Sequence, residues 1–167
     1  MDHWEKRDLA ENPNTSENIL RKLAKDKYWG VRLHVAGNSS TPEDVLRELA
    51  RDKDADVKYN VARNPNTPLD ILRKLVKSVN LRVRAGVAEN PNTPEDILRA
   101  LVKDEGVSVR REVALNPNVS STLLIMLFEY EKSLRKPNKS VIRTLYAHKN
   151  LPAFAKRIIE TLFRDTI

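Results

Sequence analysis

A four-residue motif, Asn-Pro-Asn-Thr or a close variant, recurs along the chain with no slip in its spacing. The copies start at residues 12, 38, 64, 90 and 116, which defines a constant 26-residue period. Two further motifs keep the same phase in four copies: Ile/Val-Leu-Arg-x-Leu, starting at residues 19, 45, 71 and 97, and Val-x-x-x-Val-Ala, starting at residues 31, 57, 83 and 109. A period of this length is typical of a solenoid, in which each structural unit packs against its neighbours.

Each unit contains the signals of two helices. In the second unit, Thr41 is predicted to cap the first helix, and Pro42 suits its first position. That helix is expected over about residues 42–52, with one apolar stripe. A shorter second helix, α or 3₁₀, is expected over residues 56–63, and Asn64 is predicted to end it in a left-handed conformation. We therefore predict an all-α solenoid of two-helix repeats, with a long first helix and a short second helix.

The two ends of the array depart from this pattern. Residues 1–11 look like a lone second helix that caps the N-terminus, residues 12–115 hold four regular repeats, and residues 116–167 hold an elongated repeat and a C-terminal cap. We expect all of them to form a single domain. One period after Asn116 would place the next turn at position 142, but that turn comes at Asn150, which indicates an insertion of eight residues.

A final helix is expected from about residue 153. Phe154, Ile158, Leu162 and Phe163 lie on one side of it. Part of that side is expected to cover the core, and an exposed remainder would support a weak dimer. We therefore predict a monomer or a weak dimer formed through this helix.

Composition excludes several kinds of site. The chain has no cysteine, which excludes disulfides and cysteine-based zinc and iron–sulfur sites. Its three histidines are far apart in sequence, and no glycine-rich phosphate loop or nucleophile elbow is present. We therefore predict a protein that is not an enzyme and holds no cofactor or metal. The longest apolar run, residues 123–128, is too short to span a bilayer, and the N-terminus has no secretory signal, so we expect a cytoplasmic location.

The phased motifs resemble those of the leucine-rich repeat variant (LRV) family: Asn-Pro-x-Thr-Pro, Leu-x-x-Leu-Ala, and Val-Arg-x-x-Val-Ala after an Asp. The resemblance covers residues 12 to about 128 closely and the rest loosely. It implies a right-handed superhelix of α and short 3₁₀-type helices, similar in style to HEAT repeats. The family's type member also carries a cysteine-bound iron–sulfur module, which a chain without cysteine cannot hold.

Basic side chains four residues apart recur on the first helices, and stacking would align them into a ridge. This basic ridge consists of Arg21, Lys25, Arg47, Arg51, Arg73, Lys77, Arg99 and Lys103. It would suit a phosphate backbone, and the net charge of +7 permits such a partner. The other interpretation, which we favour, is a solvated helix face. Glu17, Glu43 and Glu95 stand four residues before ridge arginines, in the order that favours ion pairs.

A second basic column follows the second helices. It consists of Arg32, Lys58, Arg84, Arg110 and, in a looser copy, Arg143. Asp26, Asp52 and Asp104 each stand six residues before a member of the column, whereas Ser78 stands before Arg84. The column is either a structural ladder, as in HEAT repeats, or the lining of a groove for an anionic partner. We favour the ladder and expect Arg84 to be free.

Side chains inside the closing motif vary while its framework is constant. Because the second helices are expected on the concave side, these positions would face a partner. The predicted partner-binding residues are Tyr28, Trp29, Leu33, His34, Tyr59, Asn60, Arg84 and Arg111. Trp29 has a second interpretation, as a cover for the end of the core. The basic loop 135–140 is either a contact for an acidic partner or a solubilising insertion.

These observations predict a non-catalytic repeat scaffold that binds a partner protein along the concave second-helix face. The alternative is a nucleic-acid-binding solenoid that uses the basic ridge.

Overall fold

The computed structural model describes all 167 residues as twelve α-helices without a β-strand. The helices are α1 (His3–Glu11), α2 (Glu17–Leu23), α3 (Trp29–Gly37), α4 (Glu43–Leu49), α5 (Ala55–Arg63), α6 (Leu69–Leu75), α7 (Leu81–Glu89), α8 (Glu95–Leu101), α9 (Val107–Leu115), α10 (Ser121–Ser133), α11 (Lys139–Ala147) and α12 (Ala153–Leu162). The predicted all-α repeat solenoid is confirmed. No helix combines the length and the hydropathy that a membrane crossing requires.

The helices alternate between two layers. The first helices α2, α4, α6 and α8 have seven residues each, and the second helices α3, α5, α7 and α9 have nine residues each. The expected long first helix and short second helix are therefore wrong, and the second helices are α rather than 3₁₀. Helix α4 ends at Leu49 because the next turn tightens. There the N–H of Arg51 donates to the Glu48 carbonyl, and the N–H of Asp52 donates to the Leu49 carbonyl.

Three of the four first helices, α4, α6 and α8, begin after a proline rather than at the proline. Pro42 is the N-cap of α4, with extended backbone angles, and the same holds for Pro94 before α8. The predicted Thr41 cap is wrong, because the Thr41 hydroxyl donates backwards to the Val35 carbonyl at 2.5 Å. Thr41 is 1% exposed. The threonine therefore satisfies the end of one helix instead of starting the next.

The second helices end without a left-handed residue. Asn64 follows α5 with φ −67° and ψ 125°, and no residue of the chain has a positive φ. The predicted left-handed stop is therefore wrong. The Asn64 amide instead donates to the carbonyls of Ala36 and Asn38 in the preceding repeat, at 2.8 and 2.9 Å, and its oxygen accepts the N–H of Asn66.

The same bonds recur at the equivalent asparagines and form an asparagine ladder between repeats. Its members are Asn38, Asn64, Asn90 and Asn116, each of which donates to two carbonyls of the unit before it. All four are almost fully buried. Buried backbone carbonyls need donors, and these side chains supply them at the four junctions between α1 and α9.

The core runs without interruption along the stack. Its 38 buried apolar side chains form one cluster, so neighbouring repeats share a core. Val57, Val61 and Ala62 are fully buried within it, as the periodicity predicts. Each second helix packs directly against the next, whereas no two first helices approach each other as closely.

Beyond α9 one insertion interrupts the 26-residue spacing of the helices. Helix α10 begins at Ser121, one full period after Glu95, but has 13 residues instead of seven. One period after α9 and α10 would place the next two helix starts at positions 133 and 147, but they lie at Lys139 and Ala153. The insertion is therefore six residues rather than the expected eight. The difference arises because His148, not Asn150, is the counterpart of Asn116. His148 caps α11, and its Nδ1 accepts the N–H of Asn150.

Candidate partner-binding face

Three of the five ridge arginines form ion pairs with the following repeat. Arg21 pairs with Asp44 at 3.0 Å, Arg47 with Asp70 at 2.7 Å, and Arg73 with Asp96 at 2.6 Å. Hydrogen bonds from these arginines hold the pKa values of all three carboxyls below their usual range. The charges of these three arginines are therefore largely compensated.

The remaining ridge side chains differ from these three. Arg99 contacts Glu95 at 3.0 Å and the sulfur of Met126. The other four, Lys25, Arg51, Lys77 and Lys103, are exposed and have no ion pair. Half of the proposed ridge is thus available to an external anion.

The column on the second helices is an ion-pair ladder that points forward along the chain. Arg32 pairs with Asp52 at 2.6 Å, and Arg84 pairs with Asp104 at 2.7 Å. The expectation that Arg84 is free is wrong: it is 8% exposed, and its guanidinium also donates to two carbonyls of its own repeat. Each of these ion pairs runs from the basic residue to the acid 20 residues later in the next repeat. Ser78 therefore occupies the position of the partner of Lys58, and Arg84 keeps its own partner.

The ladder continues at both ends with different residues. Lys6 pairs with Asp26 at 2.6 Å, and Arg110 pairs with Glu131 at 2.6 Å. Glu131 is fully buried and lies in the extended part of α10. Arg143 is not a member: Ile142 occupies the equivalent position of α11, and Arg143 matches Arg111 on the exposed side.

Burial and hydrogen bonding oppose each other at the ladder carboxylates. Burial raises the pKa of Asp52 and of Asp104, but bonds from Arg32 and Arg84 outweigh it and leave both pKa values below the usual range. Both carboxylates also accept a backbone N–H, from Asp54 and Gly106 respectively. The ladder is therefore charged at neutral pH and structural in nature.

The aromatic side chains among the predicted partner-binding residues do not form one patch in the structure. Tyr28 and Trp29 are about two-fifths exposed and join the rings of His3 and Trp4 at the N-terminal end. Tyr59 makes no ring contact with this group. His34 lies apart from it too, in a polar pocket of about 330 Å³ with Glu11, Arg63 and other polar residues.

Tyr59 and Asn60 are occupied by contacts between repeats. The Tyr59 hydroxyl donates to Glu89 at 2.7 Å, and its ring lies under the guanidinium groups of Arg63 and Arg82. The ring also covers Gly86, where an added Cβ would lie 2.8 Å from Tyr59 Cδ2. The Asn60 amide donates to the Leu33 carbonyl at 2.9 Å, and Leu33 packs against the core. The centre of the second-helix face is therefore filled by its own side chains.

The C-terminal part of the face is open. We call the space between α9 and α11 the C-terminal groove; one part, of about 760 Å³, is lined by Arg111, Leu115, Lys136, Pro137, Asn138, Lys139, Ser140, Arg143 and Thr144. A second part, of about 560 Å³, shares Leu115, Arg143 and Thr144 and adds Ala114, Ala147, His148 and Lys149. Helices α9 and α11 approach each other less closely than α7 and α9.

The groove lies where the asparagine ladder stops. His148 replaces the ladder asparagine and donates no hydrogen bond to the preceding repeat. Burial, together with the charges of Lys149 and Lys156, lowers the pKa of His148. The imidazole therefore stays neutral at pH 7 beside a cationic surface.

Comparison with known protein families assigns the repeats. The leucine rich repeat variant family matches residues 29–54 and 81–106. These two segments are similar to LRV repeats. Each matched segment begins with a second helix, α3 or α7, and ends two residues after a ladder aspartate. No curated protein and no solved structure matches the chain.

Two features of the repeats, the asparagine ladder and the C-terminal groove, are not predicted from the repeated motifs. The asparagine ladder has a visible signal, because Asn38 is retained where the Pro and Asn that follow it elsewhere become Ser39 and Ser40. The C-terminal groove has a weaker signal, the histidine at position 148. No cluster of three or more His, Cys, Asp or Glu side chains that could hold a metal ion is present.

Proposed function

We propose that the chain is a non-catalytic repeat scaffold that binds a partner protein along the face formed by its second helices. The LRV match supports a scaffold of repeated units. The close packing of the second helices supports the choice of face, because the more closely spaced layer of a stack lies on the inside of its curve. A concave layer offers a partner more contact area than a convex one.

The side chains of this face support recognition. The equivalent positions 33, 59, 85 and 111 hold Leu, Tyr, Ala and Arg, while the buried positions 31, 57, 83 and 109 always hold Val. Constant core and varied surface are what a binding array requires. Since Tyr59 and Asn60 are engaged within the protein, the accessible contacts lie towards its two ends, at His34 and at Arg111.

The charge distribution favours a protein over a nucleic acid as partner. A phosphate-tracking surface needs a continuous row of unpaired cations. Arg21, Arg47 and Arg73 are not available to such a row because each bonds a carboxylate of the next repeat, and Arg99 pairs with Glu95, which reduces the ridge from eight cations to four.

Site-specific photo-crosslinking in a cell lysate tests the proposal. A crosslinking amino acid is placed at His34 or Ser108 on the second-helix face, and at Lys22 or Glu48 on the first helices as matched controls. We expect protein adducts from the first pair alone, unchanged by nuclease treatment. Adducts from the first helices alone, or adducts lost after nuclease treatment, would refute the proposed face or partner class.

A further inference from the structure

The C-terminal groove combines unpaired cations with an exposed apolar side chain. From Lys132 to Arg157 the chain carries eight Lys or Arg residues and no Asp or Glu. Lys136, Lys139 and Arg143 line the groove without a carboxylate partner, and Arg111 contacts only its neighbour Glu112 at 2.9 Å. This contrasts with the rest of the stack, where forward ion pairs compensate most of the arginines. The groove therefore presents uncompensated positive charge.

The apolar part of the groove lies beside these cations. Leu115 is 53% exposed, and it lines both parts of the groove together with Thr144 and Arg143. The equivalent positions of the earlier second helices hold Gly37, Arg63 and Glu89, so an exposed leucine is peculiar to this junction. Ala114 and Ala147 complete an apolar wall. Such a wall would accept one aliphatic or aromatic side chain.

The groove forms at the junction of α9 and α11, where two regular features of the stack are absent. The six-residue extension of α10 displaces α11 along the chain, and His148 lacks the amide that ties the other repeats together. Arg143 is nevertheless held in place, since its Nε donates to the carbonyl of Thr166. The site is thus positioned by the fold rather than by a loop alone.

We propose that the C-terminal groove binds an extended acidic segment of the partner protein, with one apolar side chain of that segment seated against Leu115. This inference rests on the proposed scaffold function and names the site and chemistry of its partner. Carboxylates of the segment would pair with Arg111, Lys136 and Lys139. A single-stranded nucleic acid fits less well, because no Phe, Tyr or Trp lines the groove to stack on its bases.

Fluorescence anisotropy with defined probes tests this inference. The probes are a fluorescein-labelled 12-residue peptide of Glu and Ser with one central Leu, the same peptide with Ser in place of Leu, and a 12-nucleotide oligothymidylate. Arg111→Gln/Lys136→Gln/Lys139→Gln removes the groove charges. Lys25→Gln/Arg51→Gln/Lys77→Gln removes three exposed, unpaired cations elsewhere and is the matched control, and circular dichroism verifies the fold of each variant.

At about 50 mM salt, where surface charges are weakly screened, we expect the Leu peptide to bind about fivefold more tightly than the Ser peptide. The groove variant should lose about tenfold or more in affinity, and the control should lose less than about twofold. Equal losses in the two variants, tighter binding of the oligonucleotide, or no binding of the Leu peptide would overturn the inference. Protein adducts at His34 with no peptide binding would reject the groove while leaving the scaffold proposal intact.

Discussion

Arg84 donates from Nε to the Asp104 carboxylate at 2.7 Å and so joins one repeat to the next. A second nitrogen of the same guanidinium donates to the carbonyls of Ser78 and Val79 in its own repeat. The side chains of Arg84 and Asp104 are 10% and 8% exposed. Because both charges are nearly buried, removing one would leave the other without compensation.

Substitution of Arg84 should therefore be strongly destabilising. We expect Arg84→Met to lower the free energy of unfolding by about 3 kcal/mol, measured by urea denaturation. Lys58→Met is the matched control, since Lys58 occupies the same column without an ion pair, and it should change stability by less than about 0.5 kcal/mol. Similar losses in the two variants would contradict a role for the ladder.

Acid should weaken the ladder over a defined range of pH. The folded-state pKa values of Asp52 and Asp104 lie below the usual range, so their contribution to stability is present above the unfolded pKa of about 3.9. It is lost as the pH falls through the folded values. In Arg84→Met, burial without the arginine raises the folded-state pKa of Asp104, so protonation favours the folded variant and its stability deficit relative to the wild type should shrink as the pH falls. Urea denaturation from pH 7 to pH 3 measures both curves, and parallel curves would contradict this account.

The buried asparagines of the ladder should contribute more to the free energy of unfolding than exposed asparagines do. Asn64→Ala removes three hydrogen bonds and leaves the buried Ala36 carbonyl without a donor, while the Asn38 carbonyl keeps the N–H of Thr41; the change should cost about 3 kcal/mol of unfolding free energy. Asn66→Ala removes one exposed bond, to the Ser39 carbonyl, and should cost about 1 kcal/mol or less. Thermal and urea denaturation of the pair give the comparison, and equal losses would exclude a special role for the buried amide.

The close approach of Tyr59 to Gly86 should restrict that position to glycine. An added Cβ would lie 2.9 Å from the Tyr59 carbonyl oxygen, a backbone atom that cannot rotate away. We expect Gly86→Ala to cost about 2 kcal/mol in unfolding free energy. At Gly37 the nearest atom is the Asn60 amide nitrogen at 3.1 Å, and Gly37→Ala should stay within about 1 kcal/mol of the wild type. A neutral Gly86→Ala would show that Tyr59 can move.

The 26-residue period predicts the fold class and the buried face of the second helices, but it cannot assign partners between repeats. Ser78, before Arg84, and Asp104, after it, occupy the same column because they lie one period apart. Only the direction in which the Arg84 side chain leaves the helix decides between them. The sequence therefore predicts the ladder correctly but identifies Arg84 as the unpaired cation, whereas the structure leaves Lys58 unpaired.

The sequence is ambiguous in a similar way about where the helices end and about which residues form the candidate site. The apolar stripe of α4 continues through Ala50, so periodicity extends the helix past Leu49, where the backbone has already tightened. Tyr59 and Asn60 vary between repeats, which suggests recognition, yet they vary because Gly86 and Gly37 leave room for them. A single sequence does not distinguish a position that varies because a neighbouring residue makes room for it from a position that varies because a partner contacts it.

Replacing His148 by the asparagine of the ladder should change both the stability of the protein and its affinity for the peptide. We expect His148→Asn to supply an amide to the carbonyls of Ala114 and Asn116, draw α11 towards α9, and raise the unfolding free energy by about 1 kcal/mol. Because the folded-state pKa of His148 is lowered, the wild type loses stability as the pH falls below about 6.5. The advantage of the asparagine variant should therefore grow from pH 8 to pH 5.

A narrower groove should also bind the acidic Leu peptide less tightly, by about fivefold in fluorescence anisotropy, although no cation has been removed. His148→Ala serves as the control, since it removes the imidazole without supplying an amide. It should leave both stability at pH 8 and peptide affinity closer to the wild-type values. If the alanine and asparagine variants behave alike, the absence of the ladder amide is not what keeps the groove open. A more stable asparagine variant with undiminished peptide affinity would place the peptide outside the space between α9 and α11.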